Sequence, residues 1–519
     1  MNRHFNSQLS LRRGISSSPL LYLLLLPVLF VTGCVKDVNP SDAITTTSLV
    51  STTAGLTEAL NGAYALLKDN NVVFAGSTNQ GDMYLRQYFE CSDFAGDDIV
   101  CGQTSTDPLF YSFTLNHTPT QINTRYFWYA SYKIISAANT VIQALTGTPN
   151  LSDSSQQLLG ECYFLRAFCH FNLARLFAMP YTESANGAGI ILRTSTNEPA
   201  QQARATVQQV YQSVIGDAET GASLMNASRG VQYATKEAAW ALLSRAFLYE
   251  ENNDSTIYYS NKVINSGKFT LTTAATYPTL FANAVAGSET IFCIAFTQVD
   301  DYGKFGSIAS MIYSNGNSGW GEEFASASLR DTMAAHPEDV RWSYILPDSV
   351  NGTVQTLNGI PIYYITKFSF QGGSPTLSSP IMFRLAEMYL NRAEAEAKSG
   401  QTTAALNDVD MIRSNRGLQG SLYNGVVPAG YALLDVVLKE RRIELAFEGH
   451  RTFDVYRNKL SMNRTYWGYH LPGLQSADVN LSVNPTGYQN MIIAPTDPRI
   501  IYYIPIDEIQ TNALCTQNP

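Results

Sequence analysis

Two stretches of the chain each spell out a helix, a short polar turn and a second helix closed by glycine. The first is "TKEAAWALLSRAFLYE", which leads across "NNDS" into "TIYYSNKVINSG". The second is "SSPIMFRLAEMYLNRAEAEAKSG", which leads across "QTT" into "AALNDVDMIRSNRG". Such a helical hairpin, about 34 residues long, has the period of a tetratricopeptide repeat. One hairpin cannot bury its own apolar stripe, so neighbours must stack. Ala238, Ala239 and Ala246 in the first, and Ala393, Ala395 and Ala397 in the second, let helices approach closely. Ser255 is placed to cap the second helix of the first pair and Gly267 to end it. The fold class expected is mainly α: a tetratricopeptide-like helix-pair scaffold, an α/α superhelix. The copies are degenerate and unevenly spaced, so a regular solenoid is excluded.

Other segments share the helical period. "SSQQLLGECYFLRAFCHFNLARLFAMP" places Leu158, Cys162, Leu165, Cys169, Leu173 and Leu176 at three- and four-residue steps, and Pro180 marks its end. Val207, Val210, Val214 and Ala218 line another helix, and Leu60, Ala63, Tyr64 and Leu67 a third that starts near Thr57. Residues 71–120, 271–380 and 458–505 interrupt the helices with Gly, Asn, Ser, Thr and Tyr. Loops that long in a folded body are functional or carry irregular structure of their own. The organisation read from this is a leader at 1–33, a tether at 34–55, an N-terminal helical region at 56–270 and a C-terminal region at 271–519. The last divides into loops at 271–380, hairpins at 381–457 and loops at 458–519.

The leader has Arg3, Arg12 and Arg13 with no acid before Asp37, then "PLLYLLLLPVLFVTGC". Its apolar core, Leu20 to Val31, falls short of the ~20 residues that span a bilayer and fits a signal-peptide h-region. The ending "VTGC" resembles a bacterial lipobox, which implies cleavage before Cys34 and acylation of that residue. Acyl chains hold a protein to a membrane through buried CH₂ groups, and stable anchoring needs more than one. The net charge of −9 becomes more negative once the leader's arginines are removed. That charge excludes general binding to nucleic acid, which needs a positive footprint. Six cysteines remain besides Cys34. Cys162 and Cys169 lie about 10 Å apart along one helix face, too far to bridge. Cys91 and Cys101 flank "SDFAGDDIV" and could close a small disulfide in an oxidising compartment.

Enzyme motifs are absent. The chain has no GxSxG, HExxH, Walker A loop or GxGxxG, and none of its six histidines has a partner at metal spacing. His170 reads as a core histidine. Asp93, Asp97 and Asp98 could ligate a structural calcium or form a solvated acidic turn; they match no EF-hand loop. "ERRIELAFEGHRTFDVYR" sets Glu440, Glu444 and Glu448 four apart, a row of like charges that destabilises a helix unless cations answer it. The helix ends at Gly449, and its last turns oppose carboxylates through the macrodipole. Arg441 and Arg451 stand three residues from Glu444 and Glu448, and Arg384, Arg392 and Arg413 come from the neighbouring hairpin. The expectation is a partly buried Arg–Glu network that crosslinks helices, with no catalytic role.

"KERRIELAFEGHRTFDVYR" closely resembles a hallmark of the SusD/RagB family of Bacteroidetes lipoproteins. So does "RLAEMYLNRAEAEAKSG" with "ALNDVDMIRSNRG". "ECYFLRAFCHFNLARLFAMPY" is similar to the family's N-terminal helix, and "YYIPIDEIQTNALCTQNP" to its terminus. These landmarks and the lipobox run the length of the chain in family order. The resemblance implies a helix-pair scaffold with a variable, loop-rich ligand face, lipid-anchored on the outer membrane and exposed at the cell surface. It implies capture of a glycan fragment, which is handed to a SusC-like TonB-dependent transporter, without catalysis or cofactor. Some members bind peptides instead. Behind Cys34, "CVKDVNP" carries a single acid, fewer than acid-rich surface-export signals.

A sugar offers an apolar face and a rim of hydroxyls, so flat aromatic rings beside small polar residues suit it. "QVDDYGKFGSIASMIYSNGNSGWGEEF" carries Tyr302, Phe305, Tyr313 and Trp320, with Trp320 between glycines in an expected exposed turn. A second aromatic stretch holds Tyr84, Tyr88, Phe110 and Tyr111. With 30 tyrosines in the chain, many of these must be core. The competing classes are a structural scaffold lipoprotein, which predicts no ligand, and a surface glycoside hydrolase, which predicts turnover.

Overall fold

Polar caps start most of the long helices. Thr52, Ser152 and Thr235 accept the N–H three residues ahead, and Thr206 forms a capping box with Gln209. The computed structural model describes residues 49, 51–69, 83–103, 108–464 and 491–519. The leader 1–33, Cys34, the tether as far as residue 48 and loop residues 465–490 lie outside the described residues. No described helix is long and apolar enough to cross a membrane. The helix of the first hairpin expected to start behind Ser255 begins at Asn253, because Asn252 comes first and its side chain accepts from the Ser255 N–H at 3.2 Å.

The architecture is mainly helical, and the helices form one continuous stack. Ile122–Leu145, Asp153–Phe177, Val207–Leu224, Lys236–Tyr249, Asn253–Ile264, Leu385–Lys398, Thr402–Ser414 and Leu433–Glu444 each pack against the next. Ala238, Ala239, Ala246, Ala393 and Ala395 are fully buried where these helices meet. Between Asp153–Phe177 and Val207–Leu224 the backbones themselves touch. A Cβ on Gly160 would lie 2.9 Å from the Gly221 carbonyl oxygen, and one on Gly221 2.8 Å from that of Gly160. Residues 46–519 form one unit, and one core runs through it from Leu56 to Cys515.

Within 71–120, the described residues 83–103 and 108–120 are less irregular than their composition predicts. They hold the helix Tyr84–Asp93, every residue of which is buried. Its polar residues mask the apolar period, but buried partners answer them, as Arg86 meets Glu90 at 2.5 Å. The loop region 271–380 contains only short pieces. Thr290–Cys293 pairs with Ile381–Arg384, and Ile345–Pro347 with Tyr363–Ile365, both antiparallel. Ile99–Cys101 pairs with Glu323–Ala325 in the register Ile99 to Ala325 and Cys101 to Glu323, which ties the N-terminal half to this loop region.

The row of glutamates lies at the centre of a buried ion network. Arg384 meets Glu444 at 2.6 Å and Glu448 at 2.7 Å, and Arg416 meets Glu444 at 2.8 Å and Glu289 at 2.9 Å. Arg341 meets Glu440 and Asp339 at 2.6 Å each, Arg413 meets Glu440 at 3.0 Å, and Lys367 meets Glu448 at 2.6 Å. Five cations thus face five carboxylates, so the group is neutral. Burial pushes the Glu444 carboxyl up, but Arg416 and Arg384 outweigh it and hold it well below the usual range. Glu448 is likewise held low against burial by Arg384 and Lys367.

Three sequence pairings differ. The helix stops at Glu444, and Phe447 takes a left-handed conformation (φ 69°), so Glu448 is not on the helix. Arg441 bonds Asp454 at 2.7 Å and Asn391 at 2.7 Å, and Arg451 reaches Asp97 at 2.6 Å. Arg392 pairs with Asp408 instead. Chain spacing ranked neighbours by sequence, whereas buried charges are answered by whichever element packs against them.

Glu444→Gln leaves three arginines facing a neutral amide. Breaking a buried ion pair this way costs about 3–5 kcal/mol, so the variant should show a clearly lowered Tm before any change in binding. A well-folded Glu444→Gln protein that had lost only its ligand would overturn the structural role. The network also sets a pH dependence. Glu444 and Glu448 titrate lower folded than unfolded, so their stabilisation is complete above the ordinary glutamate value of about 4.3 and declines as pH falls below it. Urea unfolding from pH 7 to pH 3 should show that loss, with a shallower slope in Glu444→Gln.

Candidate ligand-binding face

Trp320 and Phe305 form an exposed aromatic pair. Trp320 is 45% and Phe305 60% exposed, and their rings meet edge to face with centroids 5.9 Å apart. The Trp320 N–H donates to the Ser310 carbonyl at 2.6 Å, and the Gly321 N–H to the same oxygen at 3.1 Å. No side chain fits on either flank. A Cβ on Gly319 would sit 2.0 Å from the Tyr313 carbonyl oxygen. Gly321 has φ +58°, and its Cβ would lie 2.8 Å from the Tyr364 ring. The turn that sequence expected to expose Trp320 does expose it, and its flanks admit only glycine. Lys304 Nζ lies 4.1 Å from the Trp320 ring centroid. An exposed cation–π contact is worth only about 0.5–1 kcal/mol, so a ligand ring can displace it.

The loops beneath are held by their own carboxylates. Asp301 accepts from the Gly303 N–H at 2.9 Å, from Ser374 at 2.6 Å and from Thr376 at 2.9 Å, joining two loops. Asp300 pairs with Lys68 at 2.8 Å. Burial raises the Asp300 carboxyl, but hydrogen bonds from Lys68 and Thr297 outweigh this and leave it low. Asn315 Oδ1 accepts from Asn317 N, Ser318 N and Ser318 Oγ, shaping the turn that leads to Trp320.

The other sequence candidates divide. Tyr313 is buried and links Tyr364, at 5.6 Å, to Phe370, at 5.2 Å. Tyr302 is half-buried against the core. Tyr111, 37% exposed, lies on a separate short helix, Phe110–Thr114. Tyr84 and Tyr88 do not face solvent. Tyr84 is fully buried, stacks on Phe127 at 4.5 Å and accepts from Asn172 at 3.2 Å; Tyr88 is buried beside Phe89 and under Arg175. Their helix packs on all sides, which local composition did not show. Phe370 was missed. It is 40% exposed and has φ +73°, a conformation that a bulky residue rarely adopts. The following "QGGS" was the available signal.

Cys91 and Cys101 do not bridge; both are free and buried, and burial pushes both thiols up. The strand that begins at Ile99 carries Cys101 to Glu323 and Gln103, while Cys91 stays in its helix beside Asn123. The aspartates between them are occupied too. Asp97 bonds Arg451, Asp98 bonds Arg442 at 2.8 Å, and Asp93 accepts from the Gly449 N–H at 2.9 Å. Among the described residues no group of three or more His, Cys, Asp or Glu is arranged to hold a metal. Cys162, Cys169 and His170 are core, as read from the sequence; burial drops the His170 pKa to about 3 and keeps the ring neutral.

A helix-pair stack with a loop-rich face is the architecture of the SusD superfamily. A SusD superfamily protein from Bacteroides thetaiotaomicron superposes with a TM-score of 0.78 at 27% identity, over 90% of this chain and 100% of that one. A SusD-like carbohydrate binding protein from Bacteroides vulgatus shares the fold, with a TM-score of 0.72 at 19% identity over 89% of this chain and 97% of its own. The SusD-like protein P2 of Formosa agariphila is 26% identical over 491 residues, 83% of this chain and 89% of its own length. A family model described as starch-binding associating with outer membrane matches residues 37–248, and the SusD family model matches 298–519. The chain belongs to the SusD/RagB family.

Free thiols at Cys91 and Cys101 have a direct test. Alkylation of the denatured, unreduced protein lacking residues 1–34 should modify all six cysteines, and a mass two alkyl groups short would restore the disulfide.

Proposed function

We propose that this chain is a cell-surface lipoprotein, anchored through Cys34, that captures oligosaccharide or polysaccharide fragments and delivers them to a SusC-like TonB-dependent transporter in the outer membrane. The observation that carries the reading is the exposed Trp320–Phe305 pair on a turn with no room for side chains at its flanking glycines. A rigid ring loses little conformational entropy on binding, and its face covers the apolar face of a sugar. The relatives described as carbohydrate binding or starch-binding support the ligand class.

The protein binds without catalysis in this reading. The carboxylates under the aromatic loop, Asp300 and Asp301, act as struts. Two carboxyls are pushed up to about 7, Glu250 by burial and Glu396 by burial and Asp408, and both belong to the helix scaffold. Burial also raises Asp69, beside the Lys68–Asp300 pair, and a hydrolase would need a second carboxyl placed across the sugar from such an acid.

Trp320→Ala should lower affinity for a bound glycan by about ten-fold or more, near 1.4 kcal/mol, with unchanged Tm. The measurement is retention in polysaccharide gels and calorimetry on the protein lacking residues 1–34. Product formation from the polysaccharide would replace binding with hydrolysis. Retention of peptides and of no glycan would move the ligand to the peptide class.

A further inference from the structure

A cleft of about 760 Å³ opens elsewhere, between the helix Ile122–Leu145, the segment 191–198 and the helix Ile506–Thr511. It shares no residue with the Trp320 loop. One stripe of Ile122–Leu145, from Arg125 to Thr140, forms its floor, about 22 Å long at 1.5 Å per residue. Tyr129 is 40% exposed on that floor, and Lys133 Nζ lies 5.7 Å from its ring centroid.

The walls are built, not incidental. Arg166 donates to the Thr194 carbonyl at 2.6 Å and to Asn139 Oδ1 at 2.7 Å, and is itself clamped by Asp217 through two bonds. Asn139 donates to the Arg193 carbonyl at 3.1 Å and Tyr132 to the Ile191 carbonyl at 2.7 Å, so the 191–194 wall is pinned to the floor. On the other side Arg125 grips Asp507 with two bonds, at 2.6 and 2.9 Å, and Trp128 donates to Glu508 at 3.3 Å. Glu198 accepts from the Thr194 N–H and hydroxyl through Oε1, which fixes the turn at 194–198.

Charge selects the ligand class. Arg125, Lys133 and Arg193 face Glu198, Asp507 and Glu508, three against three, so the cleft has no net charge to attract an anion or a cation. An exposed ring, Tyr129, and a hydroxyl rim from Ser136, Thr140, Ser195 and Thr511 suit a neutral polyhydroxylated chain. We propose that this cleft is a second binding site for a neutral oligosaccharide, separate from the Trp320 face. This rests on the reading of the chain as a glycan-binding protein.

The test counts sites. The protein lacking residues 1–34 is titrated with neutral hexasaccharides of glucose, mannose and xylose by native mass spectrometry and calorimetry. The bound hexasaccharide should occupy two sites in the parent, one in Tyr129→Ala, one in Trp320→Ala and none in the double variant, with Tyr129→Phe restoring the cleft site. Unchanged Tm controls for folding, since Tyr129 is a surface residue. A single site in the parent, lost in Trp320→Ala and untouched in Tyr129→Ala, overturns the cleft and leaves the proposed function standing. Binding that neither substitution alters removes the cleft and the Trp320 assignment together. No binding to any of the three overturns both readings. If Tyr129→Ala keeps both glycan sites but stops co-purification with a transporter barrel, the cleft is a protein-docking surface and the proposal fails.

Discussion

The rest of the structure hangs on the charge network around Glu444. Its carboxylate receives Arg384, Arg416 and Arg341 in a site that water does not reach. A lone buried charge would cost several kcal/mol, and ion pairs in low dielectric offset that only when geometry is good and every partner is present. Five cations meet five carboxylates, so every charge in the network has a counterpart. Its members come from the helix Leu433–Glu444, from the strand Ile381–Arg384, from the end of Thr402–Ser414 and from loops carrying Glu289, Arg341 and Lys367. Charge neutrality thereby couples the helix stack to the irregular region.

That coupling explains how long loops can be tied to the scaffold. Residues 271–380 have little regular structure to hold them. Buried struts do that work: Arg341 and Lys367 at the core, then Asp301 and Asp300 nearer the surface. From the buried Phe324 a run of edge-to-face rings passes through Tyr364 and Tyr313 to the exposed Phe370. Side chains at the end of such a chain are prepositioned, which spares a ligand the entropy of ordering them.

The division of chemistry is consistent across the molecule. Charges that look catalytic in the sequence are internal and paired, while the exposed loop presents rings and amides with Lys304 against Trp320. The 760 Å³ cleft follows the same pattern, with its charges matched and its one prominent exposed ring on a helix fastened by hydrogen bonds. In the proposed readings both places hold a ligand by shape and stacking.

Local signals were enough for the scaffold. Helical period, alanine pairs and stop glycines define the hairpins, because those cues act within a few residues, and the Glu440–Arg457 stretch carried the family mark. The flanking glycines marked Trp320 as exposed for an equally local reason, as a turn with no room for side chains. Tertiary packing alone decided the rest. Tyr84 and Tyr88 look like loop aromatics but lie in a helix buried on every side. Cys91 and Cys101 are ten residues apart yet are carried by a helix and a strand to different partners. Glu444 finds Arg341 and Arg416 where spacing offered Arg441. The cleft joins residue 125 to residue 507. A charge or a ring answers to what lies within a few ångströms, and sequence distance does not measure that.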